Sequence, residues 1–266
     1  MKSAIKVITF ADLTFIVCLI FAGITEGIIS EIIYYASFGL PILMLYSYLK
    51  SSESTPLKEI SFTLNKERIK SSALLVFPAI AITVLLAYLT TLFMGAFGFS
   101  GSVIENTPIY TALITHALIP ALLEEILFRY LPLKIMAAHS KRFAILLSAV
   151  AFSLCHTNLF QIPYAFFAGL VLAYITLHSG SLIPAFITHF ANNALSVTTM
   201  LYPQSSPWLF ASLGALAVIS IVIIAFTRKS YADVLEIARK GEDETLSYTP
   251  LALLALSLFL AVTSLF

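Results

Sequence analysis

Apolar residues fill the chain in long blocks separated by short polar stretches. About 20 apolar residues in a helix are enough to cross a lipid bilayer, and most blocks are close to that length. Nine blocks can be drawn, at residues 4–22, 28–49, 72–94, 109–136, 143–159, 162–178, 181–201, 207–227 and 249–266. The intervening loops are too short for a soluble domain. The pattern therefore predicts an all-α polytopic membrane bundle of about eight to nine transmembrane helices, forming one domain over residues 1–266.

Lysine and arginine lie in alternate loops. Of the 15 basic residues, 14 fall on one side of the predicted bundle, and Arg129 is the exception. Because basic loops are retained in the cytoplasm, the N-terminus is predicted to be cytoplasmic, and nine spans would place the C-terminus outside. The compact chain with short loops favours a prokaryotic cell membrane.

Composition supports this class. The chain is 59% hydrophobic and 11% charged, whereas about 25% charged residues are usual in soluble domains. A net charge of +1 gives no basis for nucleic-acid binding, so the expected surroundings are the lipid bilayer and membrane-associated partners.

Three charged residues interrupt the fourth block. Glu124, Glu125 and Arg129 lie within residues 109–136, where each ionised side chain costs roughly 2.5–3.5 kcal/mol to insert near a bilayer centre. On an α-helix Glu125 and Arg129 are four residues apart with the acid first, which is the favourable order for an ion pair. Glu124 is rotated by about 100° from Glu125 and lacks that partner. The pattern predicts a structural Glu125–Arg129 pair and leaves Glu124 for function.

Three more polar residues fall near the predicted depth of Glu124. His156 lies as far after the expected turn at Ser140 as Glu124 lies before it, provided that helix continues to the turn on both sides. Counting across the next two turns brings the same depth close to His189 and Asn193. These two residues are at i and i+4 and share a helix face. A carboxylate, two imidazoles and a carboxamide are thus predicted to converge from three helices.

Each polar residue also has a simpler interpretation. An intramembrane histidine often only hydrogen-bonds a backbone carbonyl, and an asparagine often only joins two helices. His116 and His178 are expected to be structural or interfacial. Asp12 and Glu31 are expected near helix ends, where they reach lipid headgroups. Four polar side chains at one depth are harder to explain in this way, so we favour a functional site.

The spacing of these residues resembles the CAAX protease and bacteriocin-processing family of intramembrane proteases, and within it the type II CAAX prenyl endopeptidases. The resemblance covers about residues 109–200, with three motifs in the family's order on successive apolar segments. They are E-E-x-x-x-R at Glu124, Glu125 and Arg129, F-x-x-x-H at Phe152 and His156, and H-x-x-x-N at His189 and Asn193.

The resemblance implies a hydrolase, an intramembrane endopeptidase that cleaves a membrane-associated peptide or protein. Glu124 would act as general base on the attacking water. His156 resembles the residue that orients or shares this water, and His189 and Asn193 resemble the pair that stabilises the oxyanion. The family includes enzymes that trim prenylated C-termini, but a prenylated protein is not the obvious substrate of a compact chain of prokaryotic type.

The residues leave the cofactor and two rival functions open. Glu124, His156 and His189 could hold Zn²⁺ with an open position for water. We favour metal-free glutamate chemistry, because no H-E-x-x-H helix is present. A catalytically silent member acting as a membrane scaffold would keep the same motifs. An ion-coupled transporter would also keep intramembrane carboxylates and histidines, but the sequence shows no internal repeat.

Overall fold

The structure, a computed structural model, describes residues 2–51, 60–63, 69–96, 107–137, 139–156, 161–202 and 206–226. These residues form eight helices and one isolated β-bridge between Ser61 and Ser181, which confirms the all-α prediction for this part of the chain. The helices are α1 (Lys2–Ile24), α2 (Gly27–Ser51), α3 (Ile69–Ala96), α4 (Ile109–Met136), α5 (Lys141–Leu154), α6 (Gln161–Ser179), α7 (Ile183–Leu201) and α8 (Ser206–Phe226).

Four stretches among the described residues are long and apolar enough to cross a bilayer. They are Ser3–Ile24 in α1, and the whole of α2, α4 and α6. The apolar stretch Val76–Thr90 in α3 is shorter, and α5 has 14 residues. The helices thus indicate an integral membrane protein, while the count of eight to nine spanning helices stays a prediction. The predicted block 249–266 lies outside the described residues.

The described residues group into two compact units. The first unit contains α1, α2, α5, the end of α4 from Ile126 and the start of α6 up to Leu170. The second contains α3, α7, α8, α4 up to Glu125 and α6 from Val171. Of the predicted site residues, the first unit holds Arg129 and His156, and the second holds Glu124, Glu125, His189 and Asn193.

A series of edge-to-face aromatic contacts joins four helices of the first unit. The ring of Phe15 in α1 lies 4.8 Å from that of Phe38 in α2 and 5.7 Å from that of Phe128 in α4, measured between centroids. Phe128 in turn lies 5.6 Å from Phe152 in α5. Such pairs contribute about 0.5–1.5 kcal/mol each beyond burial. This series therefore holds the part of α4 after Glu125 in place within the first unit.

Helices α5 and α6 approach closely at Gly169. A Cβ atom at this position would lie 2.9 Å from the Cα atom of Ala149, closer than real Cβ contacts come. A glycine is therefore required for this helix spacing.

In the second unit α7 packs against α3 and against the first part of α4. Ala112 and Ala117 of α4 form a buried cluster with Val197 of α7. Small residues on α4 let the two backbones come close, and this contact sets the position of α7 relative to the two glutamates.

The turn before α7 is fixed by local hydrogen bonds and by Gly180, whose φ of +64° suits glycine. The hydroxyl of Ser179 accepts a hydrogen bond from the backbone N–H of Ser181 at 3.1 Å. The backbone of Ser61 pairs with the same turn. Its N–H donates to the carbonyl of Gly180 at 3.1 Å, and its carbonyl accepts from the N–H of Leu182 at 2.9 Å. Ser61 and the α6–α7 turn thus lie at the same end of the second unit.

Candidate active site

Helix α4 is irregular on both sides of its two glutamates. One π-helical turn, Ile114–Leu118, precedes the α-helical stretch Ile119–Glu125, and a second, Ile126–Tyr130, follows it. Pro120 lacks an N–H group and cannot bond to the carbonyl of His116, which disrupts regular α-helix at the first turn. Isolated π turns are uncommon and are frequently found at functional sites.

The second π turn is supported from α5. Pro132 cannot donate to the carbonyl of Phe128, four residues before it. That carbonyl accepts a buried hydrogen bond from the hydroxyl of Ser148 at 2.6 Å. A side chain of α5 thus supplies a donor where the proline has none.

His189 of α7 lies between the carboxylates of Glu124 and Glu125. Its Nδ1 donates a hydrogen bond to Oε1 of Glu125 at 2.8 Å, and its Nε2 lies 3.5 Å from Oε2 of Glu124. The first distance is that of a strong hydrogen bond, whereas the second exceeds the usual 2.7–3.2 Å. Glu125 therefore fixes the orientation of the imidazole, and Nε2 faces Glu124.

The two carboxylates differ in their access to solvent. Glu125 is 0% exposed and His189 is 6% exposed, whereas Glu124 keeps 18% of its side-chain surface exposed. A water molecule or a substrate can therefore reach Glu124 while Glu125 stays enclosed. Two adjacent residues of the same type thus have different environments.

A carboxylate, an imidazole and a second carboxylate in a row form an arrangement suited to proton transfer. The buried acid orients the imidazole, and the imidazole presents its other nitrogen to the accessible acid. In many enzymes a catalytic base is held in position by a third group in the same way. Whether such groups can exchange a proton depends first on the distances between them and then on their protonation states.

Asn193 follows His189 by one turn of α7, which is helical from Ile183 to Leu201. Because the helix is continuous, the two residues share one face, as their i, i+4 spacing predicts. Asn193 is half-buried, and its neighbour Asn192 is 6% exposed.

In the first unit Phe152 links Arg129 to His156. The guanidinium of Arg129, with no exposed surface, lies 3.9 Å from the centroid of the Phe152 ring. The His156 ring meets the same phenyl ring edge-to-face at 4.7 Å. Nδ1 of His156 donates to the carbonyl of Phe152 at 2.8 Å, which leaves Nε2 with its lone pair. The F-x-x-x-H motif is thus a local device that orients the histidine.

The structure corrects one expectation from sequence and adds an unexpected contact to another. His156 does not lie within a helix, because α5 ends at Leu154 and the N–H of His156 bonds to the carbonyl of Ser153 in a tight turn. The equal depth of Glu124 and His156 assumed a continuous helix, and it stays a prediction. Glu125 was expected to form an ion pair with Arg129, and its hydrogen bond with His189 was not predicted. The Glu125–Arg129 pair itself stays a prediction.

The predicted zinc alternative finds no geometric support. Among the residues that the structure describes, no group of three or more His, Cys, Asp or Glu side chains is placed to hold a metal ion.

A family model covers the region that contains these residues. Residues 105–195 match the type II CAAX prenyl endopeptidase Rce1-like family. The matched region includes every motif position from Glu124 to Asn193, so the resemblance expected from the three motifs is confirmed for this Rce1-like segment. The Rce1-like family is one of endopeptidases, which are hydrolases. No curated protein and no solved structure matches the chain.

Proposed function

We propose that the protein is an intramembrane endopeptidase that hydrolyses a peptide bond in a membrane-associated peptide or protein. The observation that carries the proposal is the contact of His189 with both glutamates inside the Rce1-like segment. Intramembrane carboxylates are costly and are usually functional, and here one of them is both accessible and adjacent to an oriented imidazole.

In the proposed reaction Glu124 removes a proton from a water molecule, and the water oxygen forms a bond to the scissile carbonyl carbon. The carbonyl oxygen becomes an oxyanion, for which Asn193 and His189, when it carries a proton on Nε2, are suitable donors. The C–N bond then breaks, and the proton held by Glu124 passes to the leaving nitrogen. Glu125 acts through His189 by holding its Nδ1.

His156 is proposed to orient the attacking water. The tautomer set by the Phe152 carbonyl leaves Nε2 as an acceptor, which suits a water O–H. Arg129 and Phe152 would keep this ring in place. The protein is further proposed to lie in a prokaryotic cell membrane with about eight to nine spans and a cytoplasmic N-terminus.

The test uses purified protein in proteoliposomes, mixed with membranes from cells that lack the gene. Newly formed peptide termini are identified by mass spectrometry, with wild type compared with Glu124→Ala. Termini that appear with wild type and not with the variant support the proposal and identify the substrate. A folded wild-type protein that generates none would favour the silent scaffold, and a strong chelator in a parallel sample tests metal dependence.

A further inference from the structure

Asp12 lies deep within α1. It is ten residues from the start of the helix at Lys2, or about 15 Å, which is half of the roughly 30 Å hydrocarbon core. Its side chain is 1% exposed. The expectation that it reaches the headgroups from a helix end is therefore wrong, because α1 begins too far away and Asp12 faces the interior of the first unit.

The carboxyl group of Asp12 has no protein partner among the residues that the structure describes. Neither of its oxygens has a hydrogen-bond partner within the described part of the chain, and the same is true of the hydroxyl of Thr9, which is 3% exposed. Thr9 and Asp12 are three residues apart and lie on one face of α1. Three buried oxygen atoms on this face thus lack a partner in the described part of the chain.

Thr9 differs in this respect from other threonines in helices of this protein. The hydroxyls of Thr14, Thr83 and Thr176 each donate to the carbonyl four residues earlier, at 2.8–2.9 Å. The Thr9 hydroxyl makes no such bond. Its oxygen therefore remains available to a different ligand.

The neighbouring helix α2 also has a backbone carbonyl that lacks its usual helical donor. Helix α2 packs on α1 through the contact of Phe15 with Phe38, and buried Pro41 cannot donate to the carbonyl of Ser37. The buried cation of this unit, Arg129, lies over the Phe152 ring and is not a hydrogen-bond partner of Asp12. An ionised carboxylate in this setting needs a neutralising partner, because an isolated buried charge is very costly.

We propose that Asp12 and Thr9 bind a monovalent cation such as Na⁺. Oxygen ligands suit a hard cation, and a single carboxylate balances a single positive charge. Protonation of Asp12 would remove the charge but leave the Thr9 hydroxyl without a partner, whereas a partly hydrated cation satisfies all three oxygens. The inference rests on the first unit alone and does not depend on the proposed peptidase activity.

The test is thermal unfolding of the purified full-length protein in detergent, at fixed ionic strength, as NaCl replaces choline chloride. A cation bound by the folded state should raise Tm saturably. Asp12→Asn should abolish this rise. Glu31→Gln, which removes an exposed carboxylate of α2, should keep it.

Thr9→Val preserves the charge and removes one ligand, so the half-saturating Na⁺ concentration should rise about tenfold. Equal Tm values for wild type in NaCl and choline chloride would overturn the proposal and leave a protonated carboxyl group. A Na⁺ response that survives Asp12→Asn would also overturn it. If that variant does not fold, an unchanged half-saturation in Thr9→Val has the same meaning.

Discussion

At the scale of single residues, the site depends on a difference between two adjacent glutamates. Both project from the same stretch of α4, but Glu125 is fully enclosed and bonded to His189, whereas Glu124 remains partly exposed. Identical side chains thus have different environments, and environment decides which of two carboxylates can meet a reactant.

Replacement of Glu125 should separate orientation from charge. In Glu125→Gln the amide oxygen can still accept from Nδ1 of His189, so we expect kcat/KM to fall by about tenfold. Glu125→Leu removes the acceptor, and a fall of about 100-fold or more is expected. Rates of peptide cleavage by folded variants provide the measurement. Equal rates in both variants and wild type would show that His189 needs no orientation by Glu125.

The sequence predicts that Glu124 and His189 lie near each other, but it does not predict all of their contacts. Glu124 and His189 were expected at one depth, and the structure brings them within 3.5 Å. The contact of His189 with Glu125 could not be predicted, because it depends on how α7 is rotated against α4. Asp12 was misplaced although the predicted block 4–22 already put it near the middle of the helix, because the apolar pattern does not show which side of a helix is buried.

At the scale of elements, prolines shape α4, and helix α5 compensates for one of them. Pro120 accompanies the first π turn, and Pro132 follows the second, where Ser148 of α5 donates to the carbonyl of Phe128. Helix positions were predicted well because apolar length is a strong signal. The end of α5 at Leu154 was not predicted, because the apolar pattern does not show where a tight turn ends the helix.

Ser148→Ala should destabilise the protein by about 1–3 kcal/mol, because it leaves the buried Phe128 carbonyl without this donor. The matched control is Ser153→Ala, since the hydroxyl of Ser153 donates within its own helix, to the carbonyl of Val150. Denaturant unfolding in detergent compares the two variants. Equal losses would argue against a special role for the bond between α5 and α4.

Gly169→Ala should destabilise by about 1–3 kcal/mol, since the new Cβ atom would meet the backbone of Ala149. Gly39→Ala is the control, because nothing lies within 4 Å of a Cβ atom at that position in α2. There alanine should stabilise by about 0.5–1 kcal/mol through its helix propensity. Unfolding free energies that change alike in both variants would contradict the close approach of α5 and α6.

At the scale of the whole molecule, an ionised side chain within a membrane costs free energy and is usually retained for a function. Large apolar side chains such as Phe10, Ile28 and Leu43 are exposed, as expected of surfaces that meet lipid, while Glu125 and Arg129 are fully buried. The Rce1-like match at residues 105–195 covers the part of the chain in which these charges occur. Apolar blocks predicted the class of the protein, but the number of spans depends on segments whose length is marginal.

The central claim, that Glu124 is the general base, is tested most directly by the rate of peptide cleavage in purified Glu124→Gln. The variant keeps the shape of the side chain and loses the base, so cleavage should fall to the background rate while Tm stays close to that of wild type. Glu31→Gln, at an exposed carboxylate of α2, should retain full activity. A folded Glu124→Gln protein that keeps most of its activity would contradict the assignment.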